Sequence, residues 1–283
     1  MPLVHPRQLP SSAEVARTLL EGLGSASLAG PLGDAHAVPA LHAALGCGDL
    51  VLAVPRDSRS RTVAAAPGPG SPTANDDWAV SLCVRAEAAL PDLTVPRAHL
   101  EVLGWARYPG PADVQPAQDA LRRAWPLDSL EAYDLLLVEV AEGELHWVGG
   151  CVTVDGDDVR SADPDPLWLD EADLLDRIRA LLSPRLLALV QGLGRLPLPD
   201  GRGVELDQTL EARPVAVDRY GLTVQCRDPQ DRRHLLRLPF GRPIGAEEDA
   251  WASISTEIVS QAGCRSSARA SATAQDASQP LEP

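Results

Sequence analysis

Five short extended runs, at residues 25–30, 36–42, 49–54, 78–87 and 97–107, are separated by turn residues and one Pro/Gly-rich loop at 67–76, and this succession constrains the fold more than any other feature. Many short strands at hairpin spacing favour a small antiparallel barrel over a parallel sheet wound by helices. The run Asp49–Val54 reads as a fully buried strand. Arg97–Trp105 alternates in part, as a strand with one wet face does. Two further strands are expected at Tyr133–Ala141 and Glu144–Val154, with Glu142-Gly143 as the turn between them.

Helical patterns bracket these strands. Ser11 and Glu14 have capping-box spacing, and Ala16, Leu19, Leu20 and Leu23 follow at helical intervals, so a helix is expected over 12–22, ended by Gly22 and Gly24. A second is expected over 112–124. Asp and Pro then dominate 155–166, which reads as a hinge. A helical pattern starts near Leu167 and should break or kink at Ser183-Pro184. Strands at 205–217, 220–227 and 232–238 and a helix at 246–261 complete an α-β-β-β-α module. From Gly263 onward there is no apolar periodicity, and a disordered tail is expected. The expected organisation is α+β: an antiparallel split barrel over 1–155, a hinge over 156–166, the module over 167–262 and the tail over 263–283.

Composition narrows function. The 283 residues carry a net charge of −15, which repels phosphate backbones and anionic membranes, so neither nucleic acid nor membrane is an expected partner. All 25 basic residues are Arg, which removes Schiff-base and Walker-lysine chemistry. A chain rich in Ala, Arg, Pro and Gly and free of Lys carries the compositional mark of a GC-rich, actinobacterial genome. The five cysteines, Cys47, Cys83, Cys151, Cys226 and Cys264, show no C-x-x-C pair, which argues against a zinc knuckle or a disulfide framework and fits a cytoplasmic protein. Cys83 and Cys151 read as small core residues, and Trp105, Trp147 and Trp251 as core or interface anchors. No apolar run resembles a signal peptide or a membrane span.

Residues 215–243 contain an apolar strand, Asp218-x-Tyr220-Gly221, an alternating strand, a polar turn, then Arg237-Leu238-Pro239-Phe240 and Pro243. This resembles the C-terminal domain of the heme-utilisation branch of the pyridoxamine-phosphate-oxidase-like split barrels. Leu50–Ser58, His99–Trp105 and Asp173–Leu182 resemble, in order, a barrel strand with its turn, a second barrel strand and the linking helix of that family. The resemblance implies a homodimer with an FMN or heme site at or near the barrel interface. It also implies histidines on the linking helix, where this chain has Arg177 and Leu182.

Four groups of residues are candidates for binding. Ser58, Arg59, Ser60 and Arg61 lie at and after the turn that ends the Leu50–Ser58 segment and offer hydroxyl and guanidinium donors to a flavin phosphate, against the plainer reading of a solvated turn. His99 and His146 lie on expected barrel strands and could meet in space as heme ligands, or serve as ordinary strand histidines. Arg227, Arg232, Arg233, Arg237 and Arg242 form a basic island. Arg233 and Arg237 share one parity and Arg232 and His234 the other, so the strand carries charge on both faces, suited either to an acidic partner or the propionates of a heme, or to a charged sheet edge that resists aggregation. The cluster Asp155, Asp157, Asp158, Asp163 and Asp165 lacks the closing Glu of a calcium loop and reads as solvated. Three functions stay open: a non-catalytic or weakly catalytic heme- or flavin-binding protein, an FMN-dependent oxidoreductase, and a protein-binding regulator of tetrapyrrole metabolism.

Overall fold

The computed structural model describes residues 9–29, 37–46, 48–58, 77–90, 93–148, 150–197 and 203–262. The chain divides into two compact units, one spanning Pro10–Trp168 and one beginning at Leu169.

The first unit opens with α1 (Ser12–Leu20), whose cap is Ser11: its hydroxyl accepts the N–H of Glu14 at 3.1 Å. Strands β1 (Ser25–Ala29), β2 (Val38–Ala44), β3 (Leu50–Pro55), β4 (Trp78–Leu90), β5 (Leu93–Arg107) and β6 (Tyr133–Trp147) pair antiparallel throughout. The β3–β6 pairing closes them into a six-strand barrel, and β7 (Gly150–Asp155) extends the sheet beyond β6. Leu28, Leu50, Leu52, Leu82, Leu100 and Leu145 are among the side chains that fill the interior.

Helix α2 (Val114–Ala124) lies outside the barrel, where Ala117, Ala120 and Leu121 pack on Val51 and Ala53 of β3 and on Leu137 of β6. Strand β3 is therefore covered on both faces, the physical reason for its unbroken apolar run. The outer face of β4, β5, the far half of β6 and β7 carries exposed residues instead.

Strand β6 corrects the sequence reading. Glu142-Gly143 is not a turn but lies within one fifteen-residue strand. A Cβ on Gly143 would lie 2.9 Å from the Glu101 carbonyl, so this glycine serves a close approach of backbones. The register against β5 slips at Leu103/Gly104, which leaves Ala141 as the extra residue of a bulge. The near half of β6 then pairs with β3 over residues 133–138, and the far half with β7 over residues 142–147.

Of the stretch expected as a hinge, residues 156–161 form α3 (Gly156–Ser161), capped by the Asp155 carboxylate, which accepts the Asp157 N–H at 2.8 Å. Asp165 is buried, and its N–H donates to Thr18 Oγ1 at 2.8 Å.

The second unit begins with α4 (Glu171–Gln191), a single helix through Pro184 where a break or kink was expected. Its apolar stripe holds the helix together: Leu174, Leu175, Ile178, Leu182, Leu186, Leu189 and Val190 are buried on both sides of the proline. Ser183 Oγ donates to the Arg179 carbonyl at 2.6 Å one residue before the proline.

A short pair, β8 (Arg195–Pro197) and β9 (Gly203–Glu205), was not anticipated. Strands β10 (Glu211–Asp218), β11 (Gly221–Arg227) and β12 (Arg233–Pro239) form an antiparallel sheet in that order, so β12 is an edge. A last helix, α5, spans 250–262. The architecture is α+β: a closed antiparallel barrel followed by a small α/β module. No described helix is long and apolar enough to cross a membrane. The expected tail, 263–283, lies outside the described residues.

Candidate functional site

The residues that make the family-like signature in the second unit are occupied in holding its turns. Asp218 Oδ1 accepts the N–H groups of Tyr220 at 2.8 Å and Gly221 at 3.1 Å, and also bonds Arg237. Arg237 reaches Thr223 Oγ1 at 3.2 Å as well. Only 5% of Arg237 is exposed, so the guanidinium expected to face a partner instead faces the turn between β10 and β11. Arg233 is exposed opposite Arg227 at the start of the edge strand. On the linking helix, Arg177 stacks over the Trp251 ring at 4.2 Å and Leu182 is buried. Both positions at which the resemblance implies histidines are thus engaged in packing.

Ser58 ends the short 3-10 helix Arg56–Ser58. Arg59, Ser60 and Arg61 lie outside the described residues.

The two strand histidines do come together. His99 on β5 and His146 on β6 are directly opposed, and their rings stack with centroids 5.8 Å apart. Antiparallel registry builds two adjacent rows across the open face. Arg85, His99, His146 and Cys151 are opposed in turn across β4, β5, β6 and β7. Cys83, Glu101, Glu144 and Thr153 form the next row. Because side chains alternate along a strand, all eight point to the same side of the sheet.

Hydrogen bonds tie the rows together. Cys83 Sγ lies 3.1 Å from His99 Nε2, which is 3.4 Å from Glu101 Oε1. His146 Nε2 is 2.5 Å from Glu144 Oε1, and Cys151 Sγ is 3.6 Å from that carboxylate oxygen and 3.7 Å from His146 Nε2. Desolvation and the negative charge of Glu144 push the Cys151 thiol above its ordinary value, so it is a neutral thiol at physiological pH. Along the same face of β5 stand Leu103 and Trp105, 46% and 52% exposed.

Two cysteines read as core residues from the sequence are therefore surface residues: Cys151 is exposed and Cys83 half-buried. Trp105 is likewise no core anchor. Among the described residues, the buried thiol is Cys226, which burial pushes up to about 12. Among the described residues, one histidine belongs to the core: His42 is fully buried on β2, donates from Nε2 to the Leu19 carbonyl at 2.8 Å, and is held below its ordinary value by desolvation.

No protein-family model matches the chain, and no functionally curated protein does either. Solved structures do. A heme binding protein from Mycobacterium smegmatis superposes with a TM-score of 0.52 at 21% identity, covering 92% of this chain and 99% of that one. A protein of unknown function from Agrobacterium tumefaciens covers 93% of this chain and 99% of its own length at 15% identity, with a TM-score of 0.37. At 21% identity, the first likeness concerns the fold, from the barrel through the appended module.

Proposed function

We propose that the chain is a split-barrel protein of the heme-utilisation branch that binds heme on the outer face of β4–β6, without catalysing a reaction of its own or doing so only weakly. The observation that carries this reading is the stacked His99–His146 pair on an exposed sheet face, with Arg85 directly opposed to His99. Heme asks for an imidazole nitrogen toward the iron, apolar area against the macrocycle and cations for the propionates. The imidazole pair, the exposed Leu103 and Trp105, and Arg85 fit those three demands. A heme placed there would supply iron redox and ligand chemistry. The chain would supply an imidazole nitrogen to the iron from one of the two histidines and a flat surface that excludes water from one side of the ring. The fold shared with the mycobacterial heme binding protein supports the same reading.

The assembly in this reading is a homodimer. Leu103 and Trp105 lie on one exposed sheet face, and a second barrel set against it would cover both them and the ligand.

Titration of the purified protein with heme tests the proposal. A saturable change in the heme absorbance band is expected, lost or shifted in His99→Ala or His146→Ala. A heme spectrum that shows no saturable change, or that neither replacement alters, would remove the proposed site.

A further inference from the structure

The same face presents a second constellation, which has only His146 in common with the heme reading. Glu144 Oε1, His146 Nε2 and Cys151 Sγ all lie within 4.8 Å of one another. Their placement follows from the sheet alone. Glu144 and His146 are two residues apart on β6 and so share a side, and Cys151 is the direct partner of His146 across the β6–β7 ladder. Residues 148–149 are all that separate the two strands, which pins this register close to the turn.

The distances suit a tetrahedral ion. Metal–ligand lengths of about 2.0–2.3 Å place neighbouring donors about 3.3–3.6 Å apart. The sulfur already stands 3.6 Å from the carboxylate oxygen and 3.7 Å from the imidazole nitrogen. The carboxylate–imidazole contact, at 2.5 Å, is a hydrogen bond that must open by less than an ångström, and the Glu144 side chain, 57% exposed, is free to do so.

A second observation points to a cation. Glu101 sits directly opposite Glu144 across β5–β6. Like charges in opposed positions destabilise a ladder, and a dication beside them offsets the repulsion. Sulfur, imidazole and carboxylate together select a borderline metal such as zinc over magnesium or calcium, which take oxygen donors.

We infer that Glu144, His146 and Cys151 form a three-ligand site for a zinc-class divalent cation at the β6–β7 end of the barrel's outer face, with its fourth position open to solvent. Cys151 binds as thiolate, its proton passing to water. The site shares His146 with the heme surface proposed above, so only one occupant at a time can hold that imidazole, whereas Cys151 and Glu144 belong to the metal site alone.

Full-length protein, freed of metal and heme, should bind one equivalent of Zn2+ in competition with a chromophoric chelator. Co2+ as a spectroscopic probe should show a thiolate-to-cobalt charge-transfer band. Cys151→Ser should abolish that band and weaken Zn2+ binding by at least the roughly 10–100-fold that loss of an outer-shell partner alone costs. Cys83→Ser should keep both, and the circular dichroism melts of both variants should match the parent. His146→Ala should weaken Zn2+ binding as Cys151→Ser does. Absence of saturable one-equivalent binding would overturn the inference, as would a cobalt band that survives Cys151→Ser. Heme titration of Cys151→Ser separates the two proposals: retained heme binding with lost zinc binding is the expected pattern, and joint loss would overturn the assignment of Cys151 to the metal site alone.

Discussion

His99 and His146 face one another across β5 and β6 with rings 5.8 Å apart, although 46 residues separate them in sequence. The contact exists because β6 runs unbroken to Trp147 and then returns at once as β7. Its consequence is a row of four chemistry-bearing side chains, from Arg85 to Cys151, on a stretch of barrel wall where α2 does not pack.

That wall should tolerate charge as a folded surface but not as an interface. Trp105→Glu is expected to change the melting free energy by no more than about 0.5 kcal/mol, the usual range for an exposed position. If the wall carries a dimer contact, the same replacement lowers the apparent mass. Thermal denaturation and sedimentation velocity on one preparation read both.

His42 should make the barrel acid-sensitive. Burial lowers its pKa from the ordinary 6.5, so the folded state favours the neutral ring and the unfolded chain takes up the proton more readily. The stabilising contribution is whole above pH 6.5 and is lost as the pH falls through the folded value. His42→Ala should flatten the slope of stability between about pH 7.5 and 5, and should cost about 1–3 kcal/mol because the Leu19 carbonyl loses its donor. Urea melts at several pH values measure both effects.

Arg233 and Arg237, four residues apart on β12, should behave differently. Removing Arg237 leaves Asp218 and Thr223 without their guanidinium, and Arg237→Ala should destabilise the second unit by about 2–3 kcal/mol. That is less than the 3–5 kcal/mol of a fully buried pair, because Asp218 retains some solvent. Arg233→Ala should stay within about 0.5 kcal/mol. Chemical denaturation of the two variants followed by far-ultraviolet circular dichroism separates them.

Gly143→Val should be among the costly single changes in β6. The new Cβ would press on the Glu101 carbonyl, 2.9 Å away, with Leu100 and Val154 side chains just beyond. A loss of about 1–3 kcal/mol is expected from overpacking. The altered register should also weaken metal binding by separating His146 from Cys151. Denaturant melts give the first effect and zinc titration the second.

The element order was largely legible in the sequence. The Ser11 cap, the unbroken apolar run of β3 and the turn motif at Asp218–Gly221 are local signals, set by hydrogen bonds and burial within a few residues of themselves. The signature around Asp218, Tyr220, Gly221 and Arg237 was legible for the same reason, since those residues serve the fold of the module.

The site was legible only in its histidines, and one misread glycine hid the rest. With Gly143 taken as a turn, His146 and Cys151 fall five positions apart on a single strand, on opposite faces and about 16 Å from one another. In the folded chain the turn comes after Trp147, and the same two residues are cross-strand neighbours. Sequence by itself determined most of the strand and helix segments, though not the β8–β9 pair or α3, because alternation and capping are short-range. Which strand edges met, which wall of the barrel α2 covered and which side chains therefore shared the open wall were decided by tertiary structure, because ladder registry is a property of two segments at once.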